Sequence, residues 1–169
     1  MRKAAILVFD GDYSFLSNFY ESEMEIDQGP TKPPVVVKTL EHAYQALKAK
    51  TKEECDWVLA SLTPGVAKRR GQKVDAWGNW DEMKDDIMLE LLRIKFFFNE
   101  DLRQRLLATG NARLVEGNTW GDHYWGVCRG KGENMLGMLL MQVRNELLEG
   151  TMHSTYRGLD FADSYYTEC

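Results

Sequence analysis

The chain has 169 residues, enough for a single domain with a hydrophobic core that needs no disulfide or metal to hold it together. Apolar residues make up 44% and charged residues 28% of the sequence, which argues against a disordered or fibrous protein. The formal net charge of -5 argues against sequence-independent binding of duplex nucleic acid, which depends on many cations facing the phosphates.

The cysteines and histidines show no pattern typical of a metal site. Cys55, Cys128 and Cys169 are odd in number and widely spaced, which is typical of free thiols in a reducing compartment. The three histidines are equally scattered, and the sequence has no H-E-x-x-H motif. We therefore expect neither a metal nor a redox cofactor.

The N-terminal apolar run covers residues 4–9 and ends at Asp10-Gly11-Asp12. It is too short for the core of a signal peptide or for a membrane span, so we expect a cytoplasmic protein with no membrane partner. The same run predicts a buried strand followed by a turn. Residues 21–27 alternate in polarity and predict a half-buried strand, and residues 35–38 predict its partner beyond a loop over residues 28–34.

Residues 39–48 predict a helix that carries reactive and apolar residues together. In a helix, Glu41, Tyr44, Gln45 and Lys48 share one stripe, because they stand at i, i+3, i+4 and i+7. The ends of that stripe are separated by roughly 10 Å, about the length of a small ligand. On its own, however, such a pattern more often means that the charged residues are solvated at the surface and that the tyrosine packs in the core.

Capping residues and helical periods predict the remaining helices. These are expected from Thr51 to Leu62, Thr63 to Gly71, Asn79 to Phe98, Asn99 to Gly110 and Asn134 to Glu149. A short strand is expected over residues 113–116 and a glycine-rich loop over residues 117–132.

The predicted fold class is α+β, a mainly helical single domain of residues 1–150 with a few short strands near the N-terminus and around residue 114. Residues 151–169 show no sustained apolar period and are expected to form a C-terminal tail or flap.

Four segments of the sequence together resemble one known family. They are Phe15-Leu16-Ser17-Asn18-Phe19, Glu41 to Lys48, Val115 to Asp122 with Trp125-Gly126, and Asn134-Met135-Leu136-Gly137 leading to Arg144. In order and spacing they resemble the NADAR, or YbiA-like, family of N-glycosidases. The resemblance covers about residues 13–148 and also implies the fold of that family.

The resemblance implies hydrolysis of the bond between ribose C1 and an exocyclic amino nitrogen. Family members act on two types of substrate: phosphoribosylamino-pyrimidine intermediates of riboflavin synthesis, and ADP-ribose attached to guanine in DNA, where the domain serves as an antitoxin. Net acidity favours the small, phosphorylated, nucleotide-like substrate over ADP-ribosylated DNA. A non-catalytic module that binds ADP-ribose or a related nucleotide is the alternative from another class, and a structural or interaction protein is a third.

The resemblance also implies roles for individual residues. Glu41, Lys48, Glu116 and Asp122 match family positions that are expected to be catalytic. A carboxylate can protonate the leaving nitrogen or stabilise the cationic sugar carbon. Lys48 could instead form a Schiff base with the opened sugar.

Substrate binding is expected from Asn18, Phe19, Tyr44, Lys68, Trp125 and Asn134. The aromatic members of this set would stack on the base, and Lys68 would contact phosphate. Each of these residue types also has an explanation that needs no function. The aromatic rings could pack in the core, Asn134 could cap a helix, and Arg144 could form a surface ion pair. Trp77 and Trp80 are expected to be structural.

Overall fold

The computed structural model describes residues 5–26 and 33–151. The predicted tail lies outside the described residues except for Thr151, and so does most of the predicted loop over residues 28–34. The described residues form two compact units. The first unit contains residues 5–20 and 92–151, and the second contains residues 21–26 and 33–91.

In chain order, the elements within the described residues are β1 (Ala5–Ile6), a 3₁₀ helix (Gly11–Leu16), β2 (Met24–Ile26), β3 (Val35–Val37), α1 (Leu40–Ala46), α2 (Lys52–Leu59), α3 (Pro64–Gly71), α4 (Trp80–Phe97), α5 (Glu100–Ala108), β4 (Arg113–Leu114), β5 (Gly117–Asn118), β6 (Val127–Cys128) and α6 (Met135–Glu149). Helices dominate, and each strand has only two or three residues. The prediction of a mainly helical α+β fold with short strands near the N-terminus and around residue 114 is confirmed.

The first unit is built from two small parallel sheets and the helices that follow them. β1 pairs with β4, with Ile6 opposite Leu114, and β5 pairs with β6. Helix α6 packs on β4 and on α5. Apolar residues recur every three or four positions along α5 and α6, so each helix buries one stripe. The buried apolar residues of the two helices include Leu102, Leu106, Leu136, Leu139, Leu140 and Val143.

The second unit begins with a short hairpin. β2 and β3 are antiparallel, with Met24 opposite Val37 and Ile26 opposite Val35. Met24 and Ile26 are buried whereas Glu25 is exposed, as the alternation in polarity predicts. The strand predicted for residues 21–27 is therefore confirmed in its central part.

Helix α1 lies against β3, α2 and α3 in the second unit, and all seven of its residues are buried. The hydroxyl groups of Thr39, Thr51 and Thr63 accept hydrogen bonds from backbone amides in the first turns of α1, α2 and α3. Ala46 of α1 and Ala67 of α3 meet Val58 of α2 in one buried cluster. Small residues at this meeting point let the three helices approach closely.

The predicted helix over residues 39–48 ends earlier than expected, at Ala46. Beyond it the backbone bonds to a distant segment, because Lys50 N–H donates to Asp75 O and Trp77 N–H donates to Lys48 O. These bonds compete with continuation of the helix, so Lys48 lies in a turn and not on the helical stripe. The next helix also ends before its predicted limit, at Leu59, and Leu62 is exposed.

The predicted buried strand over residues 4–9 is wrong beyond Ile6. Its partner β4 offers only two residues, and Leu7 and Val8 are 62% and 46% exposed. The glycine-rich loop over residues 117–132 is also more ordered than predicted, because it contains the paired strands β5 and β6. No helix in the two described ranges is both long and apolar enough to span a membrane.

Candidate functional site

Glu41 is a buried carboxylate on α1, with only 5% of the residue exposed. Gln45 stands one helical turn further on, and its side-chain Nε2 donates a 2.8 Å hydrogen bond to Glu41 Oε1. Burying a charged group is costly unless hydrogen bonds replace water, and this bond is one such replacement. The pair places an acid with a fixed orientation inside the second unit.

Lys48 follows in the turn at the end of α1 and is partly buried. Burial lowers the pKa of Lys48, while attraction to the carboxylates of Glu41 and Asp81 raises it, and the first effect is the larger. An amine with a lowered pKa is more often neutral, which is the form that acts as a nucleophile or a base. The second unit therefore contains a buried acid and an amine whose pKa is lowered by burial.

His42 also lies on α1, but its ring is already bonded to the protein. Thr39 Oγ1 is 2.8 Å from its Nδ1, and the Ser61 carbonyl oxygen is 3.2 Å from its Nε2. Burial lowers the pKa of His42 and favours the neutral ring. These contacts give His42 a structural role.

Two predicted substrate-binding residues also belong to the second unit. The Tyr44 ring is buried and packs on Trp80, with ring centroids 5.2 Å apart. This contact agrees with the structural interpretation of Trp80 and makes Tyr44 part of the same packing. Lys68 is partly exposed on α3, and its neighbour Arg70 donates to the Trp57 carbonyl oxygen and lies over the Trp57 ring.

Glu116 is partly buried in the first unit, between β4 and β5. Its backbone N–H donates to Asn134 Oδ1 at 2.9 Å, and Asn134 Nδ2 donates to the Leu114 carbonyl oxygen at 2.9 Å. The Asn134 side chain thus holds the segment that carries Glu116. The interpretation of Asn134 as a helix cap is only half right: it occupies the N-cap position, yet its side chain makes no capping bond.

Asp122 organises the loop between β5 and β6. Its Oδ1 accepts hydrogen bonds from the backbone amides of Tyr124 and Trp125, and its own backbone is bonded to the Asn118 side chain. Gly126 follows at a point of close approach, where a Cβ would lie 2.3 Å from the Glu116 carbonyl oxygen. This loop therefore fixes the position of Trp125 and packs tightly on the backbone of Glu116.

Asn18 and Phe19 lie just after the 3₁₀ helix, where Asn18 is buried and Phe19 is 43% exposed. The preceding carbonyl oxygen, of Ser17, accepts a 2.9 Å hydrogen bond from Lys95 Nζ. Lys95 is buried, with 1% exposed, and burial together with the nearby Arg105 lowers its pKa to about 7. A buried amine therefore anchors the segment that presents the two candidates.

The sequence did not lead us to expect that Lys95 and Arg144 are buried. Lys95 stands three and four residues after the buried Leu92 and Leu91, so the helical period of α4 could have revealed it. For Arg144, the alternative of a surface ion pair is wrong, because the residue is buried and its Nη1 donates to Thr109 Oγ1 and to the Ala112 carbonyl oxygen. That correction depends on a turn distant in sequence, so no local pattern indicated it.

The candidate residues thus form two sets. Glu41, Tyr44, Lys48 and Lys68 belong to the second unit, and Asn18, Phe19, Glu116, Asp122, Trp125 and Asn134 belong to the first. Within the described ranges, no group of three or more histidine, cysteine, aspartate or glutamate side chains is arranged to hold a metal ion.

Replacing Asn134 by alanine is expected to lower the free energy of unfolding by about 2 kcal/mol, because two backbone groups lose their partner. The left-handed backbone at this position, with φ of 58°, is also less favourable for alanine than for asparagine. Urea unfolding measures the change. The exposed Asn111 provides a matched control, since N111A leaves no buried group without a partner. Equal unfolding free energies for N134A and N111A would contradict the anchoring role.

The family model of the NADAR domain matches residues 8–148 of the chain. The chain belongs to the NADAR family. The match includes most of the described residues of both units, and it contains every candidate residue of this NADAR domain.

Relatives and a solved structure agree with this assignment. The N-glycosidase YbiA of Escherichia coli is 39% identical over 139 residues, which are 80% of this chain and 82% of that protein. A riboflavin biosynthesis protein of Vibrio vulnificus is 34% identical over 158 residues, 92% of this chain but only 40% of that protein. The NMR structure of E. coli YbiA matches this NADAR domain with a TM-score of 0.76 and 33% identity, covering 90% of each chain.

Proposed function

We propose that this NADAR protein is an N-glycosidase that hydrolyses the bond between ribose C1 and an exocyclic amino nitrogen. The substrate we propose is a phosphorylated ribosylamino-heterocycle. The observation that supports this most is the buried Glu41 carboxylate, whose charge acts on the partly buried Lys48 amine at the end of α1. The names of the relatives support the class of reaction, because YbiA is named an N-glycosidase.

Glu41 is proposed to act as a carboxylate anion. When the bond from C1 to nitrogen breaks, positive charge develops at C1, and a nearby anion lowers the energy of that transition state. The Gln45 amide donates to Glu41, and a hydrogen bond to a carboxylate favours its charged form. Water then adds to C1 and loses a proton, while the departing nitrogen gains one.

The proton for the leaving nitrogen requires an acid, and the family resemblance puts forward Glu116 and Asp122. Asp122 Oδ1 already accepts two backbone hydrogen bonds that shape its loop. Glu116 is therefore the candidate we propose for proton transfer. Asp122 is proposed to act by holding the loop that carries Trp125.

Lys48 makes a second, covalent reaction route possible. A ribosylamine can open to an imine, the Lys48 amine can add to C1, and the amino-heterocycle then leaves as the free amine. Water hydrolyses the resulting lysine imine and returns the free amine of Lys48. The lowered pKa of Lys48 favours this route because it increases the share of neutral amine.

Sodium borohydride is expected to trap the sugar on Lys48 during turnover, because borohydride reduces an imine to a stable amine. Peptide mass mapping would then show the sugar adduct on the peptide that contains Lys48. The adduct should vanish in K48M. It should persist in K50M, because Lys50 of the wild type forms an ion pair with Asp75 at the surface. If no adduct forms in the wild type, Lys48 is not a covalent nucleophile.

We base the proposed substrate on the net charge of the chain and on the name of one relative. The formal net charge of -5 disfavours polyanionic DNA, and the Vibrio relative is named for riboflavin biosynthesis. Lys68 on α3 is the residue that we propose for phosphate contact.

The test is to incubate the protein separately with a ribosylamino-pyrimidine phosphate and with DNA bearing ADP-ribosyl-guanine. Chromatography follows release of the free base in one reaction and of ADP-ribose in the other. Release of the pyrimidine alone supports the proposal, and release of ADP-ribose alone replaces it with an ADP-ribosyl-guanine hydrolase. Binding of either compound without release would identify a non-catalytic nucleotide-binding module.

A further inference from the structure

Gln45 presents an amide whose two ends have different surroundings. Its Nε2 donates to Glu41 Oε1 at 2.8 Å, and the donor must be the nitrogen because a carboxylate only accepts. Its Oε1 is buried and accepts no hydrogen bond from the described residues. A buried carbonyl group without a partner destabilises a fold, so packing alone does not explain an amide here.

Gly71 keeps this amide in place from the neighbouring helix. It is the last residue of α3, and a Cβ on Gly71 would lie 2.1 Å from Gln45 Oε1 and 2.7 Å from Gln45 Cβ. Gln45 is itself only 6% exposed, so its side chain has little room in which to move aside. The absence of a side chain at Gly71 is therefore a condition for the contact between Gln45 and Glu41.

We propose that Gln45 is a positioning residue for the N-glycosidase reaction. It holds the Glu41 carboxylate in its reactive orientation and favours its charged form, and Gly71 leaves the space that the Gln45 side chain occupies. This inference rests on the proposed function, in which Glu41 stabilises positive charge at C1. Without the amide, the carboxylate rotates more freely and is protonated at higher pH. Gln45 acts through Glu41 and needs no contact with the substrate.

Q45M removes the donor and keeps a side chain of similar length. We expect kcat for the ribosylamino-pyrimidine phosphate to fall about ten- to a hundredfold, the rate equivalent of one hydrogen bond to a charged group, with KM nearly unchanged. The acidic limb of the pH profile of kcat should move to higher pH, because a larger share of Glu41 is then protonated at a given pH. A purely structural role would not move that limb.

G71A perturbs the same contact from another helix. Its helical backbone favours alanine, so a loss of rate would come from displacement of Gln45. G65A is the matched control on the same helix, because a Cβ there meets no atom closer than 3.9 Å. We expect G71A to shift the pH profile in the same direction as Q45M, and G65A to behave as the wild type. Circular dichroism checks that all three variants are folded.

A titration that needs no substrate separates this inference from the proposed function. Carbon NMR of protein labelled at glutamate carboxyl groups follows Glu41, whose signal is assigned by its absence in E41Q. The inference predicts that this signal titrates at higher pH in Q45M and G71A than in the wild type and G65A. An unchanged Glu41 titration overturns the role of Gln45 even if the wild type is active. Absence of base release with a shifted titration overturns the proposed function alone.

Discussion

The E41Q variant is expected to release base from the ribosylamino-pyrimidine phosphate about 10² to 10³ times more slowly than the wild type. Glutamine keeps the shape of the side chain and an oxygen that can accept from Gln45 Nε2, so the contact on α1 can persist. What is lost is the negative charge beside the cationic sugar carbon. The measurement is kcat at substrate saturation, together with the midpoint of urea unfolding, which should change little.

The chain offers a matched control for this loss. Glu53 is an exposed glutamate on α2, and E53Q makes the same chemical change at a position that is in contact with solvent. We expect E53Q to keep the turnover of the wild type. Unchanged turnover in E41Q would remove Glu41 from the mechanism, whereas equal losses in the two variants would point to a general effect of charge.

The K95M variant is expected to unfold with a free energy about 2 kcal/mol higher than the wild type at pH 7, because a buried amine that is about half charged at this pH is replaced by an apolar chain of similar length. Lys95 is almost fully buried on α4, and its Nζ bonds to the Ser17 carbonyl oxygen and lies 5.7 Å from the centre of the Tyr20 ring. Loss of these contacts offsets part of the gain. Urea unfolding at several pH values measures the difference.

The same variant should change how stability depends on pH. Burial, with a smaller contribution from Arg105, lowers the pKa of Lys95 to about 7, whereas an unfolded lysine has a pKa of about 10.4. Between these values the unfolded chain binds the additional proton, so the contribution of Lys95 to stability rises with pH. The wild type should gain on the order of 4 kcal/mol from this source between pH 7 and pH 10.

The difference between the two proteins isolates Lys95 from other groups that titrate in this range. K95M should lack the rise, and K131M, which changes an exposed lysine in the same unit, should retain it. Parallel pH profiles for the wild type and K95M would show that Lys95 keeps an ordinary pKa in the folded protein.

Local signals were sufficient for much of the fold. Capping hydroxyl groups such as that of Thr51, and the asparagine at Asn99, act on amides three residues away, so the starts of α2 and α5 could be predicted from the sequence. The end of α1 could not, because it depends on hydrogen bonds from residues 48–50 to residues 75–77. The pairing of β5 with β6 likewise joins residues ten positions apart within a loop.

The candidate site divides in the same way. The contact between Glu41 and Gln45 spans one helical turn, so the sequence predicts it once the helix is recognised. The hydrogen bond from the Glu116 backbone to Asn134 joins residues 18 positions apart, and the bond from Arg144 to Thr109 joins residues 35 positions apart. The geometry of both bonds follows from how α6 packs on β4. The resemblance to the NADAR family located these positions without indicating what their side chains contact.

The close approach at Gly126 limits how this protein can be redesigned. Any replacement there would push a side chain into the Glu116 backbone, so saturation libraries that aim to broaden substrate range should leave this position fixed. The exposed residues Thr119, Trp120 and His123 belong to the same loop and tolerate diversity better. Directed evolution of the loop should therefore yield folded variants from its outer positions and mostly insoluble ones from Gly126.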